Sequence, residues 1–272
     1  MRILLTNDDG VHAEGLAALE RIARELSDDV WIVAPELEQS AQSRSITLTQ
    51  PIRVHRLGPQ RFAVSGTPTD CVVLAVQDIL DHPPDLLLSG INRGQNLGED
   101  VTFSGTVAGA LAGMALNVPS VALSQALSTF HDDEQALYAT PEQHAPAILR
   151  TLIDAGWPPN VIINLNFPDL PPEEVRGTEV TVQGFRSEHH TRAHKRQDLR
   201  GRPYYWMGFH GVPGEPPEGT DLAAIREGRI SLTPLHIDLT HRETAARLHG
   251  LFGALPPSDL RLEEAPEGRA DG

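Results

Sequence analysis

The chain has 272 residues, a formal net charge of −15, 40% hydrophobic residues and 22% charged ones. That balance excludes a disordered chain, and the acidic excess excludes a non-specific polyanion binder, whose affinity would come from lysine and arginine displacing counterions. One cysteine, Cys71, excludes an internal disulfide framework and a Cys-rich zinc site; no apolar run approaches the roughly 18 to 20 residues of a membrane span, so a cytoplasmic protein that binds neither membrane nor nucleic acid is expected.

RILLTN, at residues 2–7, reads as a buried strand from its continuous apolar character. Directly after it stand two adjacent carboxylates, Asp8 and Asp9. In an open parallel sheet, ligands collect at the carboxyl ends of strands, and two neighbouring anions there repel unless a cation or a proton offsets them. Oxygen ligands of this kind suit Mg²⁺, Mn²⁺ or Ca²⁺. Asn-Asp-Asp-Gly reads equally as a plain chain reversal.

A helix is expected over residues 13–26, with Leu16, Leu19, Ile22, Ala23 and Leu26 on one stripe. DVWIVAP gives a second strand ending at Pro35, and ELEQSAQSRS, with Ser40, is a loop at its carboxyl end. ITL, IRVHRL and RFAVS, within residues 46–65, read as short strands in a hairpin-like excursion. GTPTDCVVLAVQDIL starts a helix, with Thr67 as cap, Pro68 in the first turn and Asp70 at the positive end. Cys71 falls in its apolar run as a packing residue.

DLLLSG, at residues 85–90, is another buried strand; INRGQNLGEDVTF is a loop; SGTVAGALAGMAL is a helix of small residues able to pack closely; PSVALS is a further strand. After Thr140 a capped helix, TPEQHAPAILRTLIDAG, leads into the strand VIINLNFP. The alternation predicts an α/β protein with a doubly wound, mostly parallel sheet. From about residue 170 the rhythm changes: EVTVQGF, PYYWMGF and RISLTPLHIDLT are strand-like, forming a β-rich subdomain or an arm used for association. Thr240 and Glu243 are spaced as a capping box before a last helix. One domain is expected over residues 1–254, with the arm at about 170–240 and a disordered acidic tail at 255–272.

Four distant pieces thus fall at the carboxyl ends of strands: Asp8 and Asp9, the loop around Ser40, the Asn92–Asp100 loop, and Ser104-Gly105-Thr106. Asn92 offers an amide oxygen and Ser40 a hydroxyl to a hard cation, and the open positions suit hydrolysis. SGTV opens a helix whose free N–H groups and dipole can receive a phosphate, with the Asn96 amide donating to it. The plainer reading is that Ser104 caps its own helix and the glycines turn the chain. No GxGxxG follows the first strand, and GxxxxGK[ST] and GxSxG are absent. His189, His190 and His194 lack the spacing of a standard metal site and read as a solvated loop, whose Arg192, Lys195 and Arg196 bring positive charge. His12 is left without a role.

NDDGVHAEG, QSAQSRSITL, GTPTDCV, SGINRGQNLGEDVTFSGTVAGAL, NLNFP, GRPYYW and TDLAAIREGRISLTPLHIDLT, in that order from Met1 to about Thr240, together resemble the survival protein SurE family of nucleotidases. The resemblance implies a Rossmann-like fold and a metal-dependent phosphatase acting on nucleoside 5′- and 3′-monophosphates, often with activity on short polyphosphate. It implies one divalent cation per subunit, usually Mg²⁺ or Mn²⁺, on Asp8, Asp9, Ser40 and Asn92, with phosphate contacts from Asn96, Ser104, Gly105 and Thr106. A homodimer or homotetramer that exchanges a carboxyl-terminal arm is implied too. Ser40 stands between Gln39 and Ala41, where the family has a basic residue and glycine, and Phe103 replaces the commoner tyrosine. Two rivals remain at this point: a regulatory protein that holds a nucleotide through the metal without hydrolysis, and an aspartyl-nucleophile phosphatase of the haloacid dehalogenase type. The second expects a DxD spacing that adjacent aspartates do not provide.

Overall fold

A computed structural model describes residues 1–127, 137–186, 191–209 and 214–253. Its chain forms two compact units, Met1–His236 and a second that begins at Ile237.

The first unit is built on a nine-stranded sheet. Strands β1 (Arg2–Thr6), β2 (Asp29–Pro35), β3 (Val54–Gly58), β4 (Arg61–Val64), β5 (Leu86–Arg93), β6 (Ser120–Gln125), β7 (Ile162–Phe167), β8 (Thr178–Val180) and β11 (Ile230–Leu235) lie in the order β3-β4-β2-β1-β5-β6-β7-β11-β8. The six strands from β4 to β7 are parallel throughout, whereas β3 and β11 pair antiparallel with β4 and β7. Parallel strands are covered on both faces, and β1 shows the alternation this requires. Ile3 and Leu5 pack with Leu16, Leu19 and Ile22 of α1 (Glu14–Arg24) and Ala145 and Leu149 of α4 (Ala139–Ala155). Leu4 faces the other way, onto Cys71 and Val72 of α2 (Pro68–Leu74) and Ala112 of α3 (Gly105–Ala115). This is the doubly wound, Rossmann-like α/β architecture expected.

The crossover from β1 leaves toward β2, and β5 returns to the opposite side of β1, so the order of strands reverses between β1 and β5. At such a point the connections diverge and open a crevice at the carboxyl ends of the strands.

Thr67 caps α2 as expected: its hydroxyl accepts from the Asp70 N–H, Asp70 accepts from the Thr67 N–H, and Pro68 sits in the first turn. Several local expectations give way. The helix after Leu74 continues as a π-turn, Ala75–Ile79, and ends where the Leu80 N–H reaches the Ala75 carbonyl. Residues 46–48 form no strand, because Asp70 holds Thr47 at its N–H (3.1 Å) and hydroxyl (2.6 Å) and so ties that stretch to α2. Tyr138, not Thr140, is the cap residue of α4, and the Thr140 hydroxyl donates instead to the Leu170 carbonyl. The supposed arm is split: β8 and β11 extend the main sheet, and only β9 (Thr191–Gln197) and β10 (Pro203–Phe209) form a separate antiparallel hairpin. Short α5 (Asp221–Arg226) precedes β11, with Thr220 as its cap.

In the second unit, α6 (Arg242–Phe252) is capped by His241, whose Nδ1 accepts from the Thr244 N–H at 3.2 Å. The expected Thr240–Glu243 box does not form, since the helix begins one residue later than that spacing requires. The predicted tail at 255–272 lies outside the described residues. No helix among the described residues is long and apolar enough to cross a membrane.

Candidate functional site

The crevice between β1 and β5 is a cleft of about 1000 Å³ whose lining includes Asp8, Asp9, Glu38, Ser40, Asn92, Asn96 and Ser104. The chain-reversal reading of NDDG holds. Asn7 Nδ2 donates to the Gly10 carbonyl (2.9 Å) and Gly10 takes φ +105°, so the segment is a tight reversal. That reversal sets both carboxylates at the floor of the cleft.

Asp8 is 4% exposed and accepts the Thr106 hydroxyl at 2.6 Å. Gly105 makes this approach possible: a Cβ there would lie 2.7 Å from Asp8 Cβ and Oδ2. Gly105, Gly109 and Gly113 form a stripe at every fourth residue of α3, and a Cβ on the last two would lie 2.6 Å from Ser89 Oγ of β5 and 2.4 Å from Ser120 Oγ of β6. The small residues therefore let α3 settle against the strand ends, with its amino end at Asp8. Among the described residues Asp9 accepts only a long bond, 3.3 Å, from the Arg93 N–H to its Oδ2.

Burial pushes the Asp8 carboxyl up, against the Thr106 hydroxyl that pulls it down. Burial, then the charge of Asp8, raises Asp9 to about 7. Glu38 adds a third negative charge to both. Among the described residues no side-chain cation lies within 4.0 Å of either aspartate. Arg93 offsets only part of the charge on Asp9, and two desolvated, mutually repelling carboxylates with no ion pair among the described residues are a donor set that a hard divalent ion would relieve. Among the described residues, no three His, Cys, Asp or Glu side chains group as a metal cluster. Neutral oxygens and solvent would have to complete any shell.

Asn92 does not stand in a loop, as expected, because β5 runs on to Arg93. Its Nδ2 donates to the Gly94 carbonyl (2.8 Å), which leaves the amide oxygen for the cleft. Ser40 is exposed at the mouth and donates to Glu38 (2.8 Å). Its loop is tied across the cleft by Gln39 N–H to the Asp8 carbonyl (2.7 Å) and by Ser43 N–H to the Phe103 carbonyl (3.1 Å). Ala41, where the family has glycine, takes φ 58°. Ser104 caps α3 by accepting from Val107 N–H (3.0 Å), as its plainer reading has it, and also lines the cleft. Asn96 spends one amide hydrogen on Ser124 Oγ (2.7 Å) and keeps the other. Gly105 and Thr106 are buried and do not line the cleft.

The cleft also contains residues that sequence patterns did not single out: Glu38, Arg93, Tyr138 and Arg186. Arg186 is paired with Asp100 (2.8 Å) and Glu99 (3.4 Å). His12 is exposed and does not line the cleft. His194 stands on β9 opposite Trp206, and His189 and His190 fall outside the described residues.

A family model described as "Survival protein SurE" matches residues 3–190. A protein of Caulobacter vibrioides named 5'-nucleotidase SurE is 62% identical over 258 residues, 94% of this chain and 98% of that protein. One of the same name from Parvibaculum lavamentivorans is 54% identical over 266 residues, 97% of this chain and 96% of that one. The crystal structure of the SurE protein from Aquifex aeolicus superposes with a TM-score of 0.78 at 38% identity, covering 92% of this chain and 99% of the other.

Proposed function

The chain belongs to the survival protein SurE family, and from that premise we propose that it is a phosphomonoesterase that hydrolyses nucleoside monophosphates. One observation carries the chemistry: buried Asp8 lies directly against the amino end of α3, joined to it by the Thr106 hydroxyl, with half-buried Asp9 next to it in the chain.

Asp8, Asp9, Asn92 and Ser40 suit one Mg²⁺ or Mn²⁺ ion per subunit. Such an ion supplies Lewis-acid charge to a phosphoryl oxygen. Thr106 holds Asp8 in place through its hydroxyl and its N–H, and the Ser104 N–H is taken by the Asp100 carbonyl, so at the start of α3 the Gly105 N–H, with the helix dipole behind it, is left for an incoming anion. The second amide hydrogen of Asn96 donates to another phosphate oxygen. These donors are aimed before the reaction starts, so they stabilise charge on the equatorial oxygens without reorganising. Asp9, with one long hydrogen bond among the described residues, keeps lone pairs for the proton of the attacking water.

Both 5′- and 3′-monophosphates, and short polyphosphate, belong to this reading, because the anchoring groups all address phosphate. The exposed aromatic residues of the β9–β10 hairpin, among them Tyr205 and Trp206, support an association role in a homodimer or homotetramer. The reading places the enzyme in the cytoplasm. Phosphate release from AMP with added Mn²⁺, abolished by a chelator and by Asp8→Asn, tests it. Nucleotide binding with no phosphate release under any divalent cation would favour the regulatory alternative.

A further inference from the structure

Strand β7 carries two asparagines, Asn164 and Asn166, at fully buried positions in an otherwise apolar run. Their spacing of two turns both side chains to one face of the sheet. A buried amide is costly unless hydrogen-bonded, and here the partner is the backbone of Asn96. The Asn96 N–H donates to Asn166 Oδ1 (2.9 Å), Asn166 Nδ2 donates back to the Asn96 carbonyl (3.2 Å), and Asn164 Nδ2 donates to that same carbonyl (2.8 Å). The Asn166 amide thus acts as a one-residue strand, supplying the acceptor and the donor that a neighbouring chain would give. Ser124 of β6, in register with Asn166, holds the Asn96 side chain. Two residues further on, the Gly98 N–H donates to Asp221 Oδ2 (2.8 Å), so the cleft loop is pinned from two sides.

We infer that Asn166 is the positioning residue for the phosphate-binding loop: it fixes the Asn96 backbone, and thereby aims the Asn96 amide, without touching the substrate. The inference rests on the reading of Asn96 as a phosphate contact. A loop backbone in a cleft is otherwise free to shift, and a displacement of about 1 Å at a substrate-positioning group costs about 100-fold in rate. None of Asp8, Asp9, Asn92 or Ser40 is bonded to Asn166, so cation affinity should be independent of the clamp.

Asn166→Leu and Asn166→Asp separate positioning from support of the fold. The leucine removes both bonds; kcat/KM for AMP should fall about 100-fold while Mn²⁺ affinity stays at the wild-type value. The aspartic acid has the same shape as the amide. Protonated, it accepts and donates as asparagine does; ionised, it sets a charged oxygen against the Asn96 carbonyl. Its register neighbours, Ser124 and Ser231, are neutral, so the ionisation belongs to the new acid, raised by burial. The ratio of its kcat/KM to wild type should approach one at acidic pH and fall as pH rises, whereas the leucine ratio stays low at every pH. A leucine variant within threefold of wild type, a flat aspartic acid ratio, or loss of Mn²⁺ binding in both variants overturns the inference. Should wild type release no phosphate, inorganic phosphate binding to the Mn²⁺-loaded protein is the readout: weaker binding by Asn166→Leu upholds the clamp, and equal binding overturns it.

Discussion

Gly105→Ala tests the site through a single methyl group. Gly105 is helical, so the new residue meets no backbone obstacle, and replacing glycine in a helix gains up to about 1 kcal/mol. Its Cβ, however, would lie 2.7 Å from both Asp8 Cβ and Oδ2. Ordinary carbon contacts are about 3.5 to 4.0 Å, so Asp8 or the end of α3 must retreat by roughly 1 Å, at an overpacking cost of about 1–3 kcal/mol. The two stability effects largely offset, and Tm should fall by no more than a few degrees. On the proposed reading the same retreat moves a cation ligand away from the phosphate seat, and kcat/KM should fall about 100-fold, equal to about 2.7 kcal/mol of transition-state stabilisation. AMP hydrolysis with saturating Mn²⁺, alongside thermal unfolding, reads both quantities. Gly113→Ala is the control. Its Cβ would meet Ser120 Oγ at 2.4 Å, two helical turns from the site, so it should lower Tm and leave kcat/KM per folded molecule unchanged. A Gly105→Ala enzyme with kcat/KM within threefold of wild type would refute the reasoning.

Thr106→Val removes the buried donor to Asp8 at nearly constant volume; Mn²⁺ affinity should drop by about 10- to 100-fold, as for other groups that orient metal ligands, and an unchanged calorimetric titration would remove Thr106 from the site. The aspartate pair makes stability depend on pH. Folded Asp9 titrates at about 7 against about 3.9 unfolded, so the folded state holds a proton the unfolded state has lost, and cation-free protein should lose stability as pH rises from about 4 to 7. Cation binding displaces that proton, so Mn²⁺ affinity should weaken by up to about tenfold for each pH unit below 7. Melting curves that run parallel across pH in chelator and in Mn²⁺ would contradict this coupling. Ala41→Gly relieves a left-handed alanine, a conformation that costs about 1–2 kcal/mol, and should raise Tm by a few degrees; a lower Tm would show the loop is not strained there.

The strands and helix starts were legible because burial leaves its mark on composition. RILLT and DVWIVAP are apolar on both faces, and Thr67-Pro68-Thr69-Asp70 carries its cap within four residues. The candidate site was legible as a set of loop ends, since a doubly wound sheet dictates where such ends converge. The contacts that refine it were not. Asn96 meets Asn166 across 70 positions and Gly98 meets Asp221 across 123, and no local periodicity encodes a partner so remote. The buried asparagines of VIINLNFP did leave a trace, as polar residues where a central strand should be apolar. Thr240 failed as a cap for the opposite reason: spacing alone nominated it, and the neighbouring His241 took the position.

The strand made first, β1, ends between β2 and β5 at the middle of the sheet. During synthesis β2 can cover one of its edges early, yet the other stays bare until β5 has left the ribosome, several seconds later at about 5–20 residues per second. An unpaired, largely apolar strand edge is a template for association with other chains. The nascent protein is therefore most prone to aggregate in the interval between its second and fifth strands, well before Thr106 has emerged to complete the cleft.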